Sequence, residues 1–330
     1  MYSINDIAIV ILNWNGQALL EQFLPSVLDY SKGAKIYVAD NASTDHSVDF
    51  LSENFPSVSI IQNAENGGYA KGYNDALQDV NEPLLCLLNS DIEVTEGWLL
   101  PILEAFNNDA NTAIIQPKIL DFKRKSYFEY AGAAGGFIDK YGYPYCRGRI
   151  FDTIDKDHGQ YNDTTSIFWA SGACFFIKNE VFKKLQGFDD TYFAHMEEID
   201  LCWRAFNANY NAKYVGSSTV YHVGGATLSN TNPKKTYLNF RNSLFTLVKH
   251  TDKNVFIRTI FRMKLDGIAA LRFLVQGKPK YFLAVLKAHG SFYKNIGRIL
   301  KQRKLQTKRS NYYETNSIVW SYFIKKRKIF

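Results

Sequence analysis

The chain has 330 residues, 46% of them hydrophobic and 15% aromatic, which is ample for one large domain or two smaller ones and excludes a disordered chain. Its four cysteines, Cys86, Cys146, Cys174 and Cys202, are scattered, which excludes a Cys-x-x-Cys zinc site or a disulfide framework and suits a reducing compartment. The net charge of +7 is modest for the length, but it hides a strong asymmetry between the two ends of the chain.

Met1 to Asp6 is polar, so no secretory signal is expected. Residues 7–12 are wholly apolar and read as a strand buried on both faces, ended by Asn13-Trp14-Asn15-Gly16. Residues 18–30 place Leu19, Leu20, Phe23, Leu24, Val27 and Leu28 on one side and predict a helix. Residues 35–39 predict a strand that ends in a polar cluster, Asp40 to Asp45, where Ser43 or Thr44 is expected to cap a helix through Val48 and Leu51. A short strand at Ile60-Ile61 leads to a Gly-rich loop feeding a helix, and Gly67-Gly68 is expected to let backbone approach a ligand closely. The loop is no Walker loop, because no Gly-Lys-Ser/Thr follows, and the first strand has no Gly-x-Gly-x-x-Gly after it.

The central stretch is residues 84–94. Leu84 to Leu88 is an unbroken apolar run that stops at Asn89, Ser90 and Asp91. This predicts a fully buried strand whose carboxyl end carries polar groups, where open α/β sheets bind ligands. A carboxylate there can hold a divalent cation, which would in turn meet phosphate oxygens. The plain alternative is a strand followed by an Asx turn. The β-α-β-α-β-α-β order to residue 94 predicts a parallel, doubly wound sheet whose polar loops converge on one edge. Further on, residues 95–108 predict a helix, 113–120 a strand, 121–165 irregular loop and hairpin, 168–178 a strand around Gly172, and 179–186 a helix. Glu197, Glu198 and Asp200 then sit at the start of another helix, a position that its dipole alone would favour for acids. Residues 213–221 predict a strand that ends in His222-Val223-Gly224-Gly225.

Seven motifs in this order, VILNWNG (10–16), VADNASTD (38–45), NGGYAKGYN (66–74), LLNSD (87–91), SGACFFIK (171–178), GFDDTYFAHMEEIDLCWR (187–204) and HVGG (222–225), resemble a family 2 glycosyltransferase, nearest to the rhamnosyltransferase-like bacterial branch. The resemblance covers residues 7–250. It implies a GT-A fold, a Rossmann-like and mostly parallel sheet, with a C-terminal helical extension. It also implies inverting transfer of a sugar from a nucleotide-diphosphate sugar to a polysaccharide or lipid-linked glycan of the cell envelope. By the same resemblance Trp14, Asn15 and Asp40 contact the base of the donor, and Asn66, Gly68 and Lys71 flank its ribose and phosphate. Asn89, Ser90 and Asp91 match an Asp-x-Asp motif with Asn first, so Asp91 carries most of the binding of a divalent cation, Mg²⁺ or Mn²⁺, and His222 adds a ligand. Glu197-Glu198 match a Glu-Asp pair whose second member is the base. Glu198 is therefore expected to accept the hydroxyl proton, Asp200 and Arg204 to orient it, and Trp169, Gly172 and Arg204 to lie on the acceptor side. Glu where Asp is common leaves Glu197 as the other candidate.

After residue 232 the chain has about 23 Lys and Arg against about three acids, and before it about 16 against about 29. Residues 1–232 are thus expected to form the transferase domain and 233–330 a basic amphipathic helical extension. Residues 255–275 and 281–300 mix aliphatic and aromatic residues with Lys and Arg, an interfacial pattern without the length of uncharged apolar residues that crossing a membrane needs. Phe256, Ile260, Phe261, Phe273, Phe282, Phe292 and Tyr293 are expected to enter the headgroup region of an anionic membrane, on its cytoplasmic face. A packed helical pair with a solvated face is the alternative. A nucleic-acid arm is disfavoured because no recognition module appears. The rival to an enzyme is a non-catalytic nucleotide-sugar or glycan-binding protein of the same fold.

Overall fold

The computed structural model describes residues 1–224 and 232–329. In chain order the first half contains β1 (Ile7–Asn13), α1 (Gln17–Tyr30), β2 (Lys35–Asp40), α2 (Ser47–Asn54), β3 (Ser59–Gln62), α3 (Gly68–Ala76), β4 (Leu84–Asn89), β5 (Ile92–Val94), α4 (Leu99–Asn108) and β6 (Thr112–Asp121). There follow β7 (Gly136–Ile138), β8 (Pro144–Cys146), β9 (Arg149–Ile150), β10 (Thr153–Ile154), β11 (Thr164–Ile167), β12 (Cys174–Lys178), α5 (Asn179–Lys184), α6 (Glu197–Asn207) and β13 (Asn211–His222). Four helices close the chain: α7 (Pro233–His250), α8 (Val255–Val275), α9 (Pro279–Lys304) and α10 (Ile318–Phe323).

Among the described residues the main sheet runs β11-β13-β6-β12-β4-β1-β2-β3, with β5 pairing the far end of β13. Strands β3, β2, β1 and β4 are parallel, and β12 enters antiparallel between β4 and β6. The apolar run of β4 has a direct cause. Leu84, Cys86 and Leu88 pack into the core on one face of the sheet, and Leu85 and Leu87 into the core on the other. With both faces covered, no position of the strand can be polar until it emerges at Asn89.

Several expectations change in detail. Residues 121–165 hold a second small sheet, β10-β9-β8-β7, and β11 at their end pairs with β13. The expected strand at 168–178 begins only at Cys174, because residues 168 and 169 turn aside to bond Gly136. The helix predicted from residue 95 starts at Leu99, after a turn at Gly97 with φ +72°. Neither Ser43 nor Thr44 caps α2. The Asp45 carboxylate accepts the Ser47 N–H (3.1 Å) instead. β5 is three residues long, too short to leave a periodic signal, yet it proves decisive for the site.

Candidate functional site

The carboxyl ends of β1, β2 and β4 meet as the topology requires. On the donor side, Asp40 is buried and accepts from the Asn13 amide (3.1 Å) and the Ser43 N–H (2.9 Å). The Asn15 side-chain oxygen, Oδ1, accepts from the Thr44 N–H (2.7 Å), so the loops after β1 and β2 are tied together. Trp14 stands beside them, 45% exposed. Asn41 donates to Asn66 (3.0 Å) and to the Gly68 carbonyl (3.1 Å), which joins the third loop to the second. Lys71 is held by Asp75 one turn along α3, with Glu65 at 3.7 Å.

Gly68 also has a packing role that the sequence did not show. Its φ is +76°, and a Cβ there would sit 2.5 Å from the Phe193 carbonyl oxygen. The backbone here closely approaches the 191–196 loop, and the Tyr69 N–H donates to that same oxygen at 2.8 Å. The helix that begins the donor loop is thereby docked on the loop that precedes the paired glutamates.

The metal-side residues converge from distant parts of the chain. Asp91 follows β4, and β5 directly after it pairs antiparallel with β13 in the register Ile92↔His222. That pairing sets His222 Nε2 3.1 Å from Asp91 Oδ1, with the Asn89 amide nitrogen 3.5 Å away. The Gly224 N–H donates to Asp91 Oδ2 (3.2 Å); Gly225, the last residue of the motif, lies outside the described residues. Ser90 borders the loop after β1, 3.8 Å from where a side chain at Gly16 would begin.

Glu129, unmarked in the sequence, completes this cluster, with Oε2 3.4 Å from His222 Nδ1. It lies among irregular residues, so no periodicity pointed to it. Burial opposes a charge on the imidazole, but the two flanking carboxylates outweigh it and raise His222 to about 10, so a cation would bind there by displacing the imidazole proton. Glu129 on the Nδ1 side and Asp91 on the Nε2 side bracket the ring. Among the described residues no group of three or more acidic, His or Cys side chains is set to hold a metal. Asp91 and His222 thus fit a cation only as a two-residue half-site, the rest of whose ligands would be phosphate oxygens and water.

Glu197 and Glu198 begin α6 after a distorted loop. Phe193, His195 and Met196 all have positive φ (64°, 69° and 74°) without being glycine, a concentration of backbone strain that needs outside support. α7 supplies it. The buried Asn242 amide nitrogen lies 3.1, 3.0 and 2.7 Å from the carbonyl oxygens of Tyr192, Ala194 and His195, and its own oxygen accepts from Arg241 Nε (2.8 Å). Arg241 donates further to the carbonyls of Thr191 (3.0 Å) and Tyr192 (3.2 Å).

The two glutamates differ. Both Oε2 atoms are buried without a hydrogen-bond partner. Burial, with the neighbouring charge of Glu198 added, pushes Glu197 well above the usual carboxylate range. Burial also raises Glu198, but the backbone N–H groups around the helix start oppose it, and it comes to about 7. Asp200 is another matter. Burial alone would raise it, but Lys249, Arg204 and His250 hold it well below the usual range. Its oxygens meet Lys249 Nζ (2.6 Å), His250 Nε2 (2.7 Å), Arg204 Nε (2.8 Å) and the Tyr192 hydroxyl (3.1 Å).

Of the residues expected on the acceptor side, Trp169 is buried, and Gly172 and Arg204 are half-buried. Trp169 is 2% exposed, lies against Gly136, and donates its indole N–H to the Phe137 carbonyl (2.7 Å). Arg204 is spent on Asp200 and the Leu185 carbonyl. Gly172 accepts from the Tyr69 hydroxyl (2.7 Å). In this arrangement Trp169 and Arg204 brace the elements that carry the site, and Arg204 keeps one nitrogen, Nη2, without a hydrogen-bond partner. Donor and base sides do adjoin: the charges of Glu197 and Glu198 both act on Tyr69. Those of Glu129 and Glu198 both act on the buried Cys146 thiol, which burial raises.

A mostly parallel sheet with polar loops at its carboxyl edge, a strand-end Asp beside a His, and paired glutamates on a following helix define a GT-A-type transferase. Residues 8–186 match the model of glycosyl transferase family 2, and the chain belongs to that family; it is a glycosyltransferase. It is 26% identical over 219 residues, 62% of this chain and 71% of the other, to an N-acetylglucosaminyl-diphospho-decaprenol L-rhamnosyltransferase of Mycobacterium tuberculosis. It is 23% identical to the low-salt glycan biosynthesis hexosyltransferase Agl10 of Haloferax volcanii, covering 84% of this chain and 88% of that protein. Among solved structures, GalNAc-T7 with UDP, GalNAc and Mn²⁺ aligns with a TM-score of 0.60 at 16% identity, over 97% of this chain and 56% of that one. The mannosyltransferase PcManGT of Pyrobaculum calidifontis, in complex with GDP-Man and Mn²⁺, gives 0.54 at 12% identity, over 91% and 84%. At these identities the structures speak for the fold.

Proposed function

We propose that the protein is an inverting glycosyltransferase that moves a sugar from a nucleotide-diphosphate sugar to a lipid-linked or polysaccharide acceptor, with a divalent cation at Asp91 and His222. The observation that carries this reading is the meeting of Asp91 and His222 at 3.1 Å, brought from two strands to the sheet edge where the donor loops converge. Trp14, Asn15 and Asp40 would receive the base, and Asn66, Lys71, Asn89 and Ser90 would border the ribose and diphosphate. Gly68 serves by docking α3. A bound cation supplies Lewis-acid neutralisation of charge on the leaving diphosphate, whether it is Mg²⁺ or Mn²⁺.

Glu198 accepts the proton of the acceptor hydroxyl, whose oxygen attacks the anomeric carbon as the bond to the diphosphate breaks. Burial and the neighbouring charge of Glu198 push Glu197 toward its protonated form, which makes it the less suited of the two to accept a proton. Asp200, whose oxygens are engaged by Lys249, His250, Arg204 and Tyr192, is a positioning residue. The transferase unit extends past residue 232 to at least His250, because Asn242, Lys249 and His250 hold the loop and helix that carry the glutamates. A screen of nucleotide sugars by thermal shift, with Mn²⁺ or Mg²⁺ and then with EDTA, tests the reading. A cation-dependent rise in melting temperature with one donor, and transfer from that donor, are expected. Binding without any turnover would support the rival, a nucleotide-sugar-binding protein of the same fold.

A further inference from the structure

We infer that the outward face of α8 and α9 docks on a bilayer rich in anionic lipid. The observation behind it is that α8 is inside out. Its inner face buries charge: Arg262 is 3% exposed, donates to Asp266 Oδ1 (2.8 Å) and to the Gly142 carbonyl (2.9 Å), and stacks 3.7 Å over the Tyr143 ring. Arg258, also buried, donates to the Tyr312 hydroxyl (2.7 Å). Its outer face is apolar. Ile257, Phe261, Ile268, Leu271 and Val275 follow one another at helical spacing, and the last three are 64, 58 and 89% exposed. A helix in water hides such a stripe against the core and turns its charges outward. Here the core-facing places are taken by ion pairs, so the stripe is left for another apolar medium.

α9 indicates which medium. Lys280, Lys287, Lys294 and Lys301 recur every seventh residue, all exposed, beside the exposed Leu286, Tyr293 and Leu300. Between Asp266 and Glu314 the chain has no acidic residue. Two copies of this face would repel each other, and a protein partner would need a matching acidic and apolar surface. The headgroup layer of an anionic bilayer offers negative charge above an apolar interior, which is the pattern such helices enter. No described helix is long and apolar enough to cross, so the helices would lie along the surface. Phe292, expected to insert, is 2% exposed and packs near Phe245; Ile268, Leu271 and Val275 take that role. α9 also reaches the site, since Arg298 donates to Thr191 Oγ1 (2.9 Å) and Gln302 to Asp189 (3.0 Å), a few residues before the glutamates. That docking serves a lipid-linked acceptor rests on the proposed transfer reaction; the docking itself does not.

The test is flotation of the full chain with vesicles of phosphatidylcholine alone or with phosphatidylglycerol. The wild-type chain is expected to float with the anionic vesicles and to lose most of this at high salt. The variant I268S/L271S/V275S, altered only at exposed positions, is expected to bind at least tenfold less, and so is K280Q/K287Q/K294Q. Both should keep the wild-type melting temperature and donor binding. No flotation at low salt, or flotation that the apolar variant retains, would overturn the docking surface. So would a wild-type dimer in sedimentation that the apolar variant abolishes, which would assign the face to self-association. Donor binding is measured on the same samples. Flotation without it discards the transferase reading alone, and donor-dependent transfer without flotation discards the docking alone.

Discussion

Glu197 and Glu198 share a helix start but not an environment, and their chemistry separates accordingly. With its pKa near 7, Glu198 gains its proton-accepting form as pH rises through neutrality. The kcat/KM profile is expected to climb with a midpoint near that value. E198Q should keep donor affinity, lose about 10²–10⁴-fold in transfer, the usual worth of a general base, and lose that limb of the profile. If E197Q is the dead variant instead, the two roles are exchanged. The same shift has a sign for stability. A glutamate in an unfolded chain titrates at about 4.3, so the raised value favours the fold below that pH and the benefit is lost as pH passes 7. E198Q is therefore expected to melt no lower than wild type at pH 8. At Asp91, the D91A chain should fold yet show no cation-dependent donor binding by calorimetry. H222A should weaken that dependence less, because Asp91 and the diphosphate remain. Donor affinity indifferent to EDTA in wild type would remove the metal assignment.

The elements are held to one another by a few buried polar groups. The 191–196 loop touches α3 through the Phe193 carbonyl, leads directly into α6, and is gripped by Asn242 on α7. Three positive-φ residues persist there because carbonyls along the loop, those of Tyr192, Ala194 and His195, find a donor in Asn242. N242L removes that donor at nearly constant volume. Donor affinity is expected to stay within a few-fold, while kcat falls by more than about tenfold, because misplacement of a base costs rate before it costs binding. A proportional loss of both, with a collapsed melting temperature, would mean that Asn242 only stabilises the fold. Behind it, Lys249 is 2% exposed and spans Asp189 and Asp200 at 2.8 and 2.6 Å. K249M leaves Asp200 with Arg204 and His250 but takes from the half-buried Asp189 its one cation among the described residues, and is expected to cost up to about 3 kcal/mol in denaturant unfolding, the lower end of the range for breaking a buried ion pair from one side.

Across the whole molecule, the division in charge near residue 232 does not coincide with a division in packing. Phe245 of α7 faces Phe292 of α9 at 6.4 Å, and Arg303 donates to the Val248 carbonyl (2.9 Å). A chain ending near residue 232 would lose Asn242, Lys249 and His250 together. One ending near 250 would keep them but bare the apolar side of α7. We expect the shorter chain to be insoluble or inactive, and the longer one to melt lower than the full protein, both measurable by thermal denaturation. Surface variants are for this reason the sound way to probe the outer face of α8 and α9.

Local pattern was enough for β4. Five consecutive apolar residues ended by Asn89 can hardly be anything but a strand covered on both faces, and its polar end marks the ligand edge of a parallel sheet. The same holds for the order of the first strands and helices, for the paired glutamates opening α6, and for α8 and α9 as helices, because each depends on residues within one or two turns. What lay outside its reach depends on partners far along the chain. Three residues of β5 align Asp91 with His222, Glu129 reaches the imidazole from an irregular stretch, and Asn242 finds carbonyls 47 to 50 positions away. Helical spacing in α8 showed that apolar and charged residues alternate around the helix. Which of those faces is buried was settled by Tyr143, Gly142 and Tyr312, residues distant in sequence that offer the two arginines partners in the interior.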